Sequence, residues 1–214
     1  MNHKNTLNGI IFLTIVVMVT LCVLFLDIPL ASWIDKHLMA KAPFVKRANI
    51  PDLLLTTVVI LTSLSTVIYI YLASLKIHNR LKLFCLLTGI VLPLSMMIKA
   101  FLKWLFGKTE SRNWLCNQTS YEFHWFAGSD GFAGFPSGHM LVLTPLFMAL
   151  WHFYPRYRPL YGMGWLCLGA ALIVTEYHFL SDVIAGAYVG TVVYLLVSAV
   201  LKSPGLENRN SVVE

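Results

Sequence analysis

Three short polar clusters interrupt an otherwise apolar chain of 214 residues, and each carries residue types able to act on an anion. His178 and Asp182 are four apart, so on one helical turn they share a face. A carboxylate that holds one imidazole nitrogen fixes the tautomer and leaves the other nitrogen as a nucleophile or base. Ser137, Gly138 and His139 follow Pro136 where a polar loop turns back into an apolar run. Proline followed by serine is helix-initiation chemistry. The free N–H groups and dipole of a helix start favour an anion, Gly138 lets it approach the backbone, and His139 stands beside it as a proton donor. The third cluster, Lys103, Lys108 and Arg112, supplies cations, with Lys99 one helical turn below Lys103. Each cluster alone has a plainer explanation: a histidine at a membrane interface, an ordinary helix start, lysines snorkelling to lipid head groups. Together they supply a nucleophile with its orienting acid, a proton donor, an anion cradle and cations. Phosphoryl transfer through a covalent phosphohistidine requires that set, because its catalysis is largely positioning and charge stabilisation.

The elements that must position these residues are long apolar helices. The chain is 57% apolar and 12% charged, with a mean hydropathy of +0.71; a soluble domain carries about 25% charged residues. A membrane helix needs about 20 apolar residues. Six blocks meet or approach that length: 7–30, 53–75, 81–106, 140–154, 160–179 and 183–201. We therefore expect an all-α integral membrane protein with six transmembrane helices, a single domain over 1–202, and a polar, disordered tail over 203–214. The first block is read as a retained helix, since polar mature sequence after a small-residue cleavage site does not follow it.

Six spans put both termini on one side. Lys4, Lys76, Arg80, Lys82, Arg156, Arg158, Lys202 and Arg209 fall on the terminal side, against Lys36, Lys41, Lys46, Arg47, Lys99, Lys103, Lys108 and Arg112 on the other. The sides balance unless Lys99, Lys103, Lys108 and Arg112 are held in a site. With those set aside, the termini are cytoplasmic and the site lies on the external face of a bacterial inner membrane. On either orientation the three polar clusters open on one face.

The net charge of +6 is scattered over short loops with no basic stripe, which excludes a nucleic-acid groove and suits anionic lipid head groups. Cys22, Cys85 and Cys167 lie in apolar runs and Cys116 in a polar loop, with no CxxC, so neither zinc nor redox chemistry is indicated. The loop 113–134 carries Trp114, Tyr121, Phe123, Trp125 and Phe126, an interfacial aromatic belt. Its glycines would permit a lid, and His124 and Asp130 are head-group contacts to consider. Residues 33–51, with Asp35, Lys36, Lys41, Lys46 and Arg47, would lie along the interface as an amphipathic cover.

The order and spacing of these residues resemble the type 2 phosphatidic acid phosphatase family, related to vanadium haloperoxidases. Its signature has three parts: K-x6-R-P, P-S-G-H and S-R-x5-H-x3-D. Pro136, Ser137, Gly138 and His139 match the second part fully, and His178 and Asp182 match the end of the third. The resemblance implies a lipid phosphatase that uses no metal or other cofactor. His178 would attack phosphorus, Asp182 would orient it and His139 would protonate the leaving oxygen. Lys103, with Ser137 and Gly138, would hold the phosphate. The chain departs from the signature in two places. Glu110 stands seven residues after Lys103 where arginine is expected, with Arg112 two positions late. Ala171 and Leu172 replace the Ser-Arg pair, and Glu176 stands two residues before His178. Lys108 and Arg112 are the candidate replacement clamps, although lysine lacks the bidentate geometry of arginine.

A site at the membrane surface suits a phosphate on a lipid whose tails stay in the bilayer. Phosphatidic acid, phosphatidylglycerol phosphate, polyprenyl diphosphate and lipid A phosphates all fit, and the sequence chooses neither among them nor an oligomeric state. A lipid phosphotransferase on the same site, a non-catalytic lipid-binding or transport protein and a haloperoxidase are the competing classes. Transporters place ionisable residues near the bilayer midplane, whereas these collect at one interface.

Overall fold

Apolar segments of this length must satisfy their backbone hydrogen bonds internally, and helices do so. The computed structural model describes residues 3–39, 53–117, 119–128 and 131–201. Lys41, Lys46 and Arg47 of the expected interfacial cover, Asp130 and the tail 203–214 lie outside the described residues. Among the described residues there is no β-strand; the pairing of Lys108 with Phe123 is an isolated antiparallel bridge.

Helix α1 (His3–Leu21) passes through a π-helical turn, Cys22–Leu26, into α2 (Asp27–Ile34) and a second such turn, Asp35–Met39. Pro29 explains the first. It has no N–H to offer the carbonyl four residues back, and a wider turn before it absorbs the mismatch, with the Asp27 N–H bonding to the Cys22 carbonyl. The extra residue rotates the helix beyond it by about 100°. Asp27, the first residue past the turn, is 1% exposed. Helices α3 (Leu54–Ser74), α4 (Arg80–Phe106), α5 (Ser111–Asn117), α6 (Gly138–Phe153), α7 (Arg158–Val174) and α8 (Leu180–Leu201) follow.

Four helices are long and apolar enough to cross a membrane: residues Gly9–Leu38, α3, α4 and α8, with 30, 21, 27 and 22 residues. Helices α6 and α7, expected as spans, have 16 and 17 residues, about 24–26 Å at 1.5 Å per residue against a core of about 30 Å. Several boundaries also move. The first apolar helix continues well past residue 30, the fifth block stops being helical at Val174, short of residue 179, and the last begins at Leu180.

The chain divides into two compact units. One comprises residues 1–49, 101–137 and 168–188, the other 50–100, 138–167 and 189–214. In the second unit, Thr88 of α4 donates to Ser65 of α3 at 3.0 Å, and Trp165 of α7 donates to Thr144 of α6 at 2.9 Å. Pro145 leaves the Leu141 carbonyl without its helical donor. Gly190 of α8 approaches that carbonyl so closely that a Cβ there would stand 2.6 Å from the oxygen. A glycine is what lets the two helices meet. The first unit holds most of the candidate site residues.

Candidate active site

The turn that carries His178 is set by the end of α7. The Tyr177 N–H bonds to the Leu172 carbonyl at 2.9 Å and the Glu176 N–H to Ile173 at 3.0 Å, the paired bonds of a Schellman cap. The capping position usually takes glycine, yet here Glu176 occupies it at φ +56° and is 2% exposed. The His178 N–H bonds to Leu172 as well, at 3.1 Å. Leu172, standing where the resemblance calls for arginine, is therefore a buried anchor of this turn.

Helix α8 then starts on its own acid. Asp182 is the third residue of α8, and its Oδ2 accepts the Phe179 N–H at 2.9 Å, half of a capping box. The same oxygen lies 3.8 Å from His178 Nδ1, outside hydrogen-bond range but close enough to orient an imidazole. His178 is nearly buried, and burial holds its imidazole below the ordinary histidine range. Asp182 pulls the other way, Lys103 lowers it further and Glu110 raises it.

Gly107 ends α4 in the left-handed conformation at φ +51°, its N–H bonding to the Lys103 carbonyl at 3.0 Å. A Cβ there would stand 1.9 Å from the His124 oxygen, so the position is closed to other residues. The loop that follows satisfies the remaining carbonyls of the helix: Phe126 bonds to Leu105 at 2.9 Å and Gly128 to Trp104 at 3.2 Å. Residues 107–110 are held from both sides, by Glu122 and His124 and by Gly131 and Gly134. The glycines expected to hinge a lid are points of close approach instead; a Cβ at Gly128 or Gly134 would stand 2.2 or 2.7 Å from a carbonyl oxygen.

This scaffold sends Lys108 inward, where it is 0% exposed. Its three N–H groups go to Asp27 Oδ2 at 2.9 Å, Ser181 Oγ at 2.8 Å and Asp182 Oδ1 at 2.8 Å. The sequence proposed Lys108 as a phosphate clamp; in the structure its donors are occupied by carboxylates and a hydroxyl. Tyr121 donates to Asp27 at 2.7 Å, and burial followed by that bond pushes its phenol well above the usual range. Arg112 meets the expected site by another route. Its guanidinium reaches the Thr175 carbonyl at 3.3 Å and lies over the Tyr177 ring at 4.8 Å, on the turn that carries His178. Lys103 is half-buried at the end of α4.

Ser137 is fully buried and its N–H bonds to the Asp182 carbonyl at 3.0 Å, tying the Pro-Ser segment to the first turn of α8. The Phe135–Pro136 bond is cis. Lys103, Lys108, Arg112, Ser137, His178 and Asp182 thus belong to one unit, and Gly138 and His139 to the other. Gly138 is buried at the start of α6, where a Cβ would stand 2.6 Å from the Lys99 side chain, and His139 is half-buried. The sequence reading missed Asp27, Tyr121 and Ser181. Asp27 had a signal, since a carboxylate within so long an apolar segment needs a buried partner.

A histidine and a carboxylate thus stand on a helix-initiating turn that is tied to Ser137. The chain belongs to the PAP2 superfamily, whose family model matches residues 82–204. Over 86 residues, 40% of its length, it is 35% identical to a protein of Rhizobium johnstonii named lipid A 1-phosphatase. The protein of that name from Rhizobium etli matches at the same identity over the same share. The aligned stretch spans 35% and 37% of those two proteins. No solved structure matches.

Proposed function

We propose that this chain is a lipid phosphate phosphatase that hydrolyses its substrate at the membrane surface through a phosphohistidine, without a metal ion. The observation that carries the reading is the placement of His178 Nδ1 3.8 Å from a carboxylate that is itself fixed by the cap of α8. With Nδ1 turned to Asp182, Nε2 is the attacking atom. In the first step Nε2 bonds to phosphorus, the bond from phosphorus to the lipid oxygen breaks, and His139 gives that oxygen its proton. In the second, water attacks phosphorus, the neutral His139 takes the water proton, and the P–N bond breaks to release phosphate. Burial keeps His178 in the neutral, nucleophilic form at the start of each cycle.

In this reading Lys103, Arg112 and the N-terminal end of α6 at Ser137 and Gly138 hold the phosphate, and Lys108 serves the carboxylates. Relatives named lipid A 1-phosphatase put a lipid A phosphate first among substrates, ahead of phosphatidic acid, phosphatidylglycerol phosphate and polyprenyl diphosphate. Helices α6 and α7 complete six spans as short crossings, with cytoplasmic termini and the site facing outward from a bacterial inner membrane.

The test is phosphate release from those four lipids by the detergent-purified chain with chelator present, beside His178→Ala and His139→Ala. Release by the wild type, lost in His178→Ala and strongly reduced in His139→Ala, supports the reading and ranks the substrates. Phosphate appearing on an added lipid alcohol in place of water makes the enzyme a transferase. No release from any lipid by folded protein overturns the hydrolase reading.

A further inference from the structure

Asp27, Lys108 and Ser181 lie outside the chemistry just described, yet they form the most completely buried polar cluster among the described residues. Asp27 is 1% exposed; Lys108, Ser181 and Asp182 are each 0% exposed. Asp27 Oδ1 accepts the Ser181 N–H at 2.9 Å, while Oδ2 accepts from Lys108, from Tyr121 at 2.7 Å and from the Ser181 hydroxyl. Lys108 gives its remaining protons to Ser181 and to Asp182 Oδ1. Four rings enclose its ammonium, with Phe179 and Tyr121 centred 4.8 and 5.0 Å away and Phe135 and Phe123 at 5.7 and 5.8 Å. Every donor on Lys108 is used, and Asp182 is pinned at Oδ1 by Lys108 and at Oδ2 by the Phe179 N–H.

The charges do not balance. Two carboxylates face one ammonium, so the cluster keeps one net negative charge. If Lys108 paired with Asp182 alone, the two would cancel, and Asp182 would do little for a positive charge developing on the imidazole. Asp27 takes up Lys108 from the other side and lines the same cavity of about 10 Å³ as His178, Ser111 and Glu176. We propose that Asp27 is a positioning residue. With Lys108 and Ser181 it holds the Asp182 carboxylate in place and leaves an unbalanced negative charge beside His178, where attack on phosphorus turns the imidazole cationic. The proposal rests on the reading of His178 as the nucleophile. The other charged groups around His178 are Lys103 and Glu110 from the end of α4 and the loop after it, Glu176 on its own turn and Arg112 over Tyr177.

The sign of the charge makes the test specific. Asp27→Asn cancels the surplus and lowers the pKa of His178; Lys108→Gln doubles the surplus and raises it. The double variant restores one net negative charge and returns the pKa towards that of the wild type. Hydrogen–deuterium exchange at the imidazole C2 position of His178, read by mass spectrometry against pH on the full chain in detergent, measures this without turnover. It therefore stands apart from the success or failure of the phosphatase reading. Alongside it, Asp27→Asn lowers kcat for the best lipid phosphate of the panel about 100-fold, the scale of misplacing a catalytic group by 1 Å, with KM little changed; Asp27→Glu recovers part of the loss. An unchanged His178 titration in Asp27→Asn, or shifts of one sign in both single variants, overturns the proposal. If Lys108→Gln does not fold, Asp27→Asn against the charge-conserving Asp27→Glu carries the test: only the former lowers the His178 titration, and equal titrations overturn the proposal.

Discussion

At the residue scale the site is governed by how one buried imidazole is charged. Burial depresses the pKa of His178, so between that value and the unfolded 6.5 the unfolded chain binds the additional proton. Stability therefore rises with pH across that window and is lost as pH falls through it. Activity follows the same sign: the acidic limb of kcat/KM falls below pH 6.5. Its neighbours move it in opposite directions. Lys103→Met removes a charge that lowers the pKa, and the limb moves to higher pH. Glu110→Gln removes one that raises it, and the limb moves to lower pH. The rates also change, because Lys103 is read as a phosphate ligand, but the position of the limb is the measurement. A limb that stays in place in both variants would assign it to another group.

At the scale of elements, caps do the positioning. Glu176 sits where a Schellman cap favours glycine, at φ +56°. Glu176→Gly and Glu176→Ala both delete the carboxylate, and they differ only in how readily the backbone takes a positive φ. The glycine variant should be the more stable by about 1 kcal/mol in chemical denaturation; equal stabilities would mean that the turn relaxes. Caps also mark what the sequence could reveal. Pro136 and Ser137 announced the start of α6, and the spacing of His178 and Asp182 announced the pair. The helix end at Val174 was hidden because its signal residue is glutamate. Lys108 looked like a clamp because three residues that claim it, Asp27, Ser181 and Asp182, lie 73 to 81 positions away along the chain. Periodicity and spacing report local geometry, and contacts of that range lie beyond them.

At the scale of the whole molecule, composition announced an all-helical membrane protein, and four helices have the length and apolarity for it. The apolar runs at 140–154 and 160–179 read as spans, but α6 has only 16 residues and the turn that brings His178 into place ends α7 at Val174. Orientation follows from the proposed site and is directly testable. Cys116 is exposed and free in the segment after α5 begins. In a Cys22→Ser, Cys85→Ser, Cys167→Ser background, an impermeant maleimide added to intact spheroplasts should label Cys116. Labelling only after lysis would reverse the assigned orientation and place the site inside.

The central claim is that phosphate passes through His178. The most direct measurement is a rapid acid-free quench of the purified enzyme with a lipid phosphate carrying radioactive phosphorus, in chelator, followed by mapping of the labelled peptide. The account predicts an acid-labile, base-stable label on the peptide containing His178 in the wild type, absent from His178→Ala and longer-lived in His139→Ala if the leaving oxygen departs. Phosphate released at full rate by His178→Ala, or label on any other residue, would contradict it.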